Sequence, residues 1–195
     1  MAGKRIGLFG GTFNPIHLGH LRGAEDIRES FGLDRVVFLP AAIPPHKLRD
    51  DVIEPRPRLE MVKLATLANP FFSVSDVEIE RSGKSYSIDT LRYFRERQPD
   101  SFFFILGMDA FVEIETWKEY QKLFSLCNFI VMARPGSGKT PPSSRFRTSW
   151  VHRSISIKRE GFGFMSQDTR STLKRSPFST SLRRGSGSWS RRGSP

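Results

Sequence analysis

Near its start the chain reads Arg5-Ile6-Gly7-Leu8-Phe9, continues through Gly10-Gly11-Thr12-Phe13-Asn14-Pro15-Ile16-His17-Leu18-Gly19-His20, and passes into Leu21 to Phe31. The first piece is a short apolar run stopped by a glycine pair and predicts a buried strand. The last piece places Leu18, Leu21, Ala24, Ile27 and Phe31 near helical spacing and predicts a helix over 18–31. A glycine loop joins the two, the geometry in which backbone N–H groups and a helix N-terminus converge on an anion. His17 and His20 are three apart, so at the start of the helix both imidazoles fall on one face toward that anion. The other reading of such a pair is a helix cap or core contact. The loop lacks the G-x-G-x-x-G dinucleotide fingerprint and the G-x-x-x-x-G-K-[ST] phosphate loop. Gly138-Lys139-Thr140 ends like the latter, but Ala133 stands where its first glycine is required.

The alternation continues along the chain. Strands are predicted at 36–39, 72–80, 102–106 and 129–133. Helices are predicted at 58–68, with Met61, Leu64, Ala65 and Ala68 on one face, and at 87–97, with Ile88, Leu91 and Phe94 in phase. The strand candidates are continuous apolar runs without polar alternation, as in a parallel sheet covered on both faces. The expected architecture is therefore a doubly wound α/β fold. Ligands in such folds sit beyond the carboxyl ends of the strands, which directs attention to the loops after Phe9, Leu39, Leu106 and Ala133.

Charge divides the chain. Among its 195 residues the net charge is +11, yet residues 1–134 carry 18 basic and 18 acidic side chains, while residues 135–195 carry 13 basic and 2 acidic. The second segment holds 15 Ser and 10 Arg and little apolar periodicity, so it is expected to be a largely disordered basic tail. The longest apolar runs, Phe102 to Leu106 and Phe129 to Ala133, are far too short to cross a bilayer as helices. The first ten residues lack a secretory cleavage pattern, and a cytoplasmic location is expected. The lone Cys127 is expected to be a buried core thiol. The four histidines form no cluster at zinc spacing, so no protein metal ligands are predicted.

The run Gly10 to His20, with H-x-G-H at His17 to His20, resembles the nucleotidyltransferase superfamily, and in its full form it is similar to bacterial nicotinate mononucleotide adenylyltransferases. The similarity continues in order through Pro44-Pro45-His46-Lys47, Ser85-Tyr86-Ser87 with Asp89-Thr90-Leu91, Gly107-Met108-Asp109, and Arg134-Pro135-Gly136. The resemblance implies a Rossmann-like nucleotidyltransferase domain over residues 1–136, incomplete at its C-terminal end. It also implies transfer of the adenylyl group of ATP to nicotinate mononucleotide, giving nicotinate adenine dinucleotide and pyrophosphate in NAD biosynthesis, with Mg²⁺ arriving on ATP. No protein nucleophile is needed, because the mononucleotide phosphate attacks in line and the enzyme supplies positioning and charge stabilisation.

Carried onto this chain, the resemblance implies that His17 and His20 hold the triphosphate and stabilise the leaving pyrophosphate. Gly10, Gly11, Thr12, Gly107 and Asp109 are implied on the ATP side. Lys47, Tyr86, Ser87 and Trp117 are implied on the mononucleotide side, with Trp117 stacking on the nicotinate ring. Ser87 stands where the family usually has Thr, keeps the hydroxyl, and is also expected to cap the following helix.

The resemblance stops after Gly136. The family's I-S-S-T-x-I-R and Y-L-V-P segments have as their nearest counterpart Phe178-Ser179-Thr180-Ser181-Leu182-Arg183-Arg184, in a region where Ser and Arg are so abundant that a chance match is expected. An abrupt change of this kind is what a shifted reading frame leaves behind. Two other functions remain open at this level: a related enzyme acting on phosphopantetheine or an alcohol phosphate, and nonspecific nucleic-acid binding by residues 137–195.

Overall fold

The computed structural model describes residues 3–44, 52–81 and 83–133, together with the backbone of 155–159 and 162–166. Strand β1 (Arg5–Gly11) leads into helix α1 (Leu18–Phe31) and returns as β2 (Arg35–Pro40). Helix α2 (Pro55–Thr66), strand β3 (Phe72–Val74) and the short helix α3 (Val77–Glu80) follow. Helix α4 (Ser87–Arg97) crosses to β4 (Ser101–Gly107). Helix α5 (Met108–Val112), a 3₁₀ turn at Ile114–Thr116 and α6 (Tyr120–Leu126) then lead to β5 (Asn128–Ala133). The sheet runs β3-β2-β1-β4-β5, all parallel, and continues into β6 (Ile155–Arg159), parallel to β5, and β7 (Phe162–Ser166), antiparallel to β6. These last two strands fall inside the segment expected to have little order.

Strand alternation sorts the core into two layers. Ile6, Leu8, Val37, Leu39, Phe102, Phe104, Leu106, Phe129 and Val131 point to one face, where Ile88, Leu91 and Phe94 of α4 and Leu123 of α6 cover them. Phe9, Val36, Phe38, Phe103, Ile105 and Ile130 point to the other, against Ala24 and Ile27 of α1 and Val62 of α2. Because both faces are covered, the central strands are apolar throughout, and that is why they read as continuous runs. Cys127 is buried in the first layer, as expected.

Three sequence expectations are corrected. Residues 72–80 do not form one strand: the ladder ends where Ser75 N–H donates to Phe38 carbonyl, and the chain then turns into α3 with Ile79 and Glu80 N–H groups bonded to the Asp76 carbonyl. Helix α2 begins earlier than residue 58, because Pro55 occupies its first position, where a missing N–H costs nothing. Its inward face is Arg58, Leu59, Val62 and Thr66, whereas Leu64 is 74% exposed, so the stripe assigned from Met61, Leu64, Ala65 and Ala68 is not the one that packs.

Candidate functional site

Strand β1 pairs with β2 on one side and β4 on the other, and successive connections leave this junction in opposite directions. A cavity of about 350 Å³ opens there, at the carboxyl ends of the strands, as the rule for doubly wound sheets requires. Its walls combine Gly10, Gly11 and Thr12 after β1, Ala41 and Pro44 after β2, and Gly107 and Asp109 after β4. Tyr86 and Ser87 at the start of α4, with Trp117 and Lys118 before α6, close the other side.

The glycine pair owes its place to crowding. A Cβ on Gly11 would lie 3.0 Å from the Phe13 ring, and one on Gly10 would lie 3.1 Å from Phe104. Phe13 is buried, with its ring edge-on to Phe9 at 5.5 Å, and its backbone sits at φ 47°, a left-handed conformation that is strained for a bulky side chain. The loop is thus clamped from below by its own aromatic residue. The Asn14-Pro15 peptide that follows is cis.

His17 and His20 meet as the sequence reading expected. Their ring centroids are 3.8 Å apart, and the His17 backbone N–H donates to His20 Nδ1 at 3.2 Å. With Nδ1 accepting, the neutral His20 ring carries its proton on Nε2, a donor suited to a phosphate oxygen. The capping contact is therefore real, and it fixes the His20 imidazole. Gly19 is needed between them, since a Cβ there would stand 3.1 Å from the His17 ring. The two histidines lie at the start of α1, beside the glycine loop, and are not among the cavity-lining residues. Lys47 and the loop after Ala133 lie outside the described residues.

On the opposite side, Trp117 is half-buried, with its ring edge-on to Phe104 at 6.3 Å, and the Lys118 ammonium lies 4.7 Å from the Tyr86 ring centre. Ser87 is the first helical residue of α4 and Tyr86 occupies the N-cap, so the expected capping by Ser87 is not what is seen; Ser87 lines the cavity. Asp109 sits in the first turn of α5, after the N-cap Gly107, exposed at the cavity. Among the described residues no group of three or more His, Cys, Asp or Glu could hold a metal ion.

Three residues of the site were not singled out from sequence. Glu78 lines the cavity although it is buried; Thr90 Oγ1 donates to its Oε1 at 2.7 Å, and burial pushes its carboxyl above the ordinary range. Lys118 pairs with Asp89 at 3.1 Å. Arg58 is fully buried behind the cavity. Its only sequence signal is that positions 58, 62 and 66 share one helical face.

The profile of the cytidylyltransferase-like family matches residues 8–185. The chain belongs to that family. A probable nicotinate-nucleotide adenylyltransferase of Geobacter metallireducens is 55% identical over 134 residues, covering 68% of this chain and 62% of that protein. One of Citrifermentans bemidjiense, of the same description, is 57% identical over 134 residues, covering 68% and 62%. The chain thus spans about 62% of the length of these curated relatives. The solved structure of Plasmodium falciparum nicotinic acid mononucleotide adenylyltransferase complexed with NaAD shares the fold with a TM-score of 0.67 at 21% identity, covering 82% of this chain and 76% of that one. The family match encloses Phe178 to Arg184, so it extends well past Gly136, where the motif-by-motif resemblance stops. Among the described residues no helix of this family member is long and apolar enough to cross a membrane.

Proposed function

We propose that this chain transfers the adenylyl group of ATP to the 5′-phosphate of nicotinate mononucleotide, forming nicotinate adenine dinucleotide and releasing pyrophosphate in the cytoplasm. The observation that carries the reading is that one cavity joins the Gly10–Thr12 loop and the Gly107–Asp109 turn to an aromatic wall of Tyr86 and Trp117. The first end supplies what a nucleotide phosphate and ribose require: backbone N–H groups and a carboxylate for hydroxyls. The second supplies flat surfaces for a pyridine ring, which favours this acceptor over phosphopantetheine or an alcohol phosphate. In this reading the attacking phosphate lies between the two ends, in line with the α-phosphorus. His17 and His20 donate to the departing pyrophosphate, where charge grows as the bond breaks. Lys47 adds a further phosphate contact on the acceptor side.

Mg²⁺ would enter on the triphosphate, neutralising charge between its oxygens. The donor set suits that arrangement, since Mg²⁺ keeps several waters and needs few protein carboxylates, and Asp109 stands at the ATP end. Residues 1–136 are proposed as the unit that carries this site. The test is pyrophosphate release from the purified 195-residue chain with ATP and nicotinate mononucleotide, set against phosphopantetheine and glycerol phosphate as acceptors. Release that needs nicotinate mononucleotide supports the reading; release with another acceptor alone, together with no binding of nicotinate mononucleotide, refutes it.

A further inference from the structure

Arg58 is the largest fully buried side chain of the described core, and it is met by backbone oxygens. Its Nε donates to the Ile53 carbonyl at 2.7 Å, Nη1 to the Thr12 carbonyl at 2.6 Å, and Nη2 to the carbonyls of Ala41 at 2.7 Å and Ala42 at 3.1 Å. Burial lowers its proton affinity, while Glu54 partly offsets the effect. Keeping a cation out of water against neutral dipoles is costly, and such a group persists where its geometry is over-determined. Three chain segments converge on one planar fork.

Two of those segments are walls of the cavity. Thr12 ends the glycine loop, and Ala41 opens the loop after β2. From there the connection continues: Ala42 N–H donates to Ser85 Oγ at 2.8 Å, and Ser85 N–H donates to the Ile43 carbonyl at 3.0 Å. Ser85 immediately precedes Tyr86 and Ser87. A path of hydrogen bonds therefore runs from the phosphate loop through Arg58 to the acceptor segment; Thr12, Ala41 and Ser85 on it line the cavity, and Arg58 does not.

We infer that Arg58 is a positioning residue that sets the separation between the glycine loop and the Ser85–Ser87 segment, and so holds the two substrates at reacting distance. The inference rests on the proposed adenylyl transfer. In-line attack depends on that separation more than binding of either partner does, because each partner touches mainly its own half. Lysine cannot replace the fork, since a single ammonium on a flexible stem does not span carbonyls from three segments.

The test is calorimetric binding to the full chain of three probes: a non-hydrolysable ATP analogue, nicotinate mononucleotide, and the dinucleotide product, which alone spans both halves. For Arg58→Lys the two separate nucleotides are expected to bind within about 3-fold of the unaltered chain, while the dinucleotide binds about 10-fold or more weaker, because the linked ligand has lost its matched spacing. Ser85→Ala cuts the same path further on and is expected to show the same excess loss for the dinucleotide, with the double variant no worse than the stronger single one. Equal losses for all three probes, or unchanged dinucleotide affinity, overturn the inference; if Arg58→Lys does not fold, the same comparison in Ser85→Ala decides. Failure of the unaltered chain to bind any of the probes refutes the functional reading itself, and the inference falls with it.

Discussion

His17 and His20 are held in register by a backbone N–H on one imidazole and by the space that Gly19 leaves for the other. Both rings serve the departing phosphate in the proposed reaction, so His17→Ala and His20→Ala are each expected to lower kcat far more than they raise the KM for nicotinate mononucleotide. Steady-state kinetics of the two variants checks this, and matched modest changes in kcat and KM would mark the pair as a cap alone. Gly19→Ala tests the same geometry from outside, because alanine is the better helix former by roughly 0.5–1 kcal/mol. Its thermal midpoint should hold or rise while turnover falls. In the proposed reaction the half-buried Trp117 stacks on the acceptor, and Trp117→Ala is expected to weaken nicotinate mononucleotide binding by about 1–3 kcal/mol, the scale of one stacking contact. Titration calorimetry on a folded variant is the measurement.

At the scale of elements, α4 is tied on two sides. Thr90 bonds the buried Glu78 of α3, and Arg92 makes a paired contact with Glu119 just before α6, at 3.1 and 2.7 Å. Glu119 itself sits at φ 50°, so these bonds also hold a strained residue next to Lys118 and Trp117. The two carboxyls respond oppositely to pH. Hydrogen bonds from Arg92 and Lys122 hold Glu119 down to about 2, so its contribution is present above the unfolded value of 4.5 and is lost as pH falls toward about 2. Burial raises Glu78, so its contribution is fully present below 4.5 and is lost as pH rises. Thermal midpoints should therefore show Glu78→Gln gaining on the unaltered chain as pH rises above 4.5. Glu119→Gln should instead be the less stable chain at neutral pH and converge with it in acid. A pH-independent offset in either variant would remove the assigned cause.

For the whole molecule, the question is what residues 137–195 contribute. They carry the entire excess charge, and truncation after residue 136 is expected to abolish salt-sensitive nucleic-acid binding, read by titration at two ionic strengths. The sequence expectation is that the sheet survives this cut largely formed. Strand β6, however, lies along β5, and its loss leaves Asn128–Ala133 as an unpaired apolar edge, the kind of surface that seeds association. A chain ended at residue 136 should therefore keep its far-ultraviolet signature but sediment as aggregates, and one ended after β7 should not. We further expect the nicotinate mononucleotide-dependent release of the intact chain to be measurable but slow, and to rise when residues 137–195 are replaced by a segment carrying I-S-S-T-x-I-R and Y-L-V-P. Full turnover in the intact chain would instead assign the phosphate contacts to Ser179, Thr180, Ser181 and Arg184, which the family match encloses.

Local pattern was enough for much of this protein. Runs such as Phe102 to Leu106 declare buried parallel strands because both of their faces need cover, and Gly10 to His20 marks a strand-to-helix glycine loop, for which an anion site is proposed. Strand alternation with helices then leads to the doubly wound sheet and to the loops at its carboxyl edge. Other features depend on contacts between segments far apart in the chain, which no periodicity encodes. Arg58 reads as a solvated charge until the carbonyls of Thr12, Ala41 and Ala42 are brought to it, and Glu78 reads as a strand residue until Thr90 and the cavity enclose it. The inward face of α2 follows from the same cause: a buried guanidinium with fixed acceptors outweighs the exposure of Leu64 and Leu67, so packing rather than hydrophobic spacing chose which side faces the sheet.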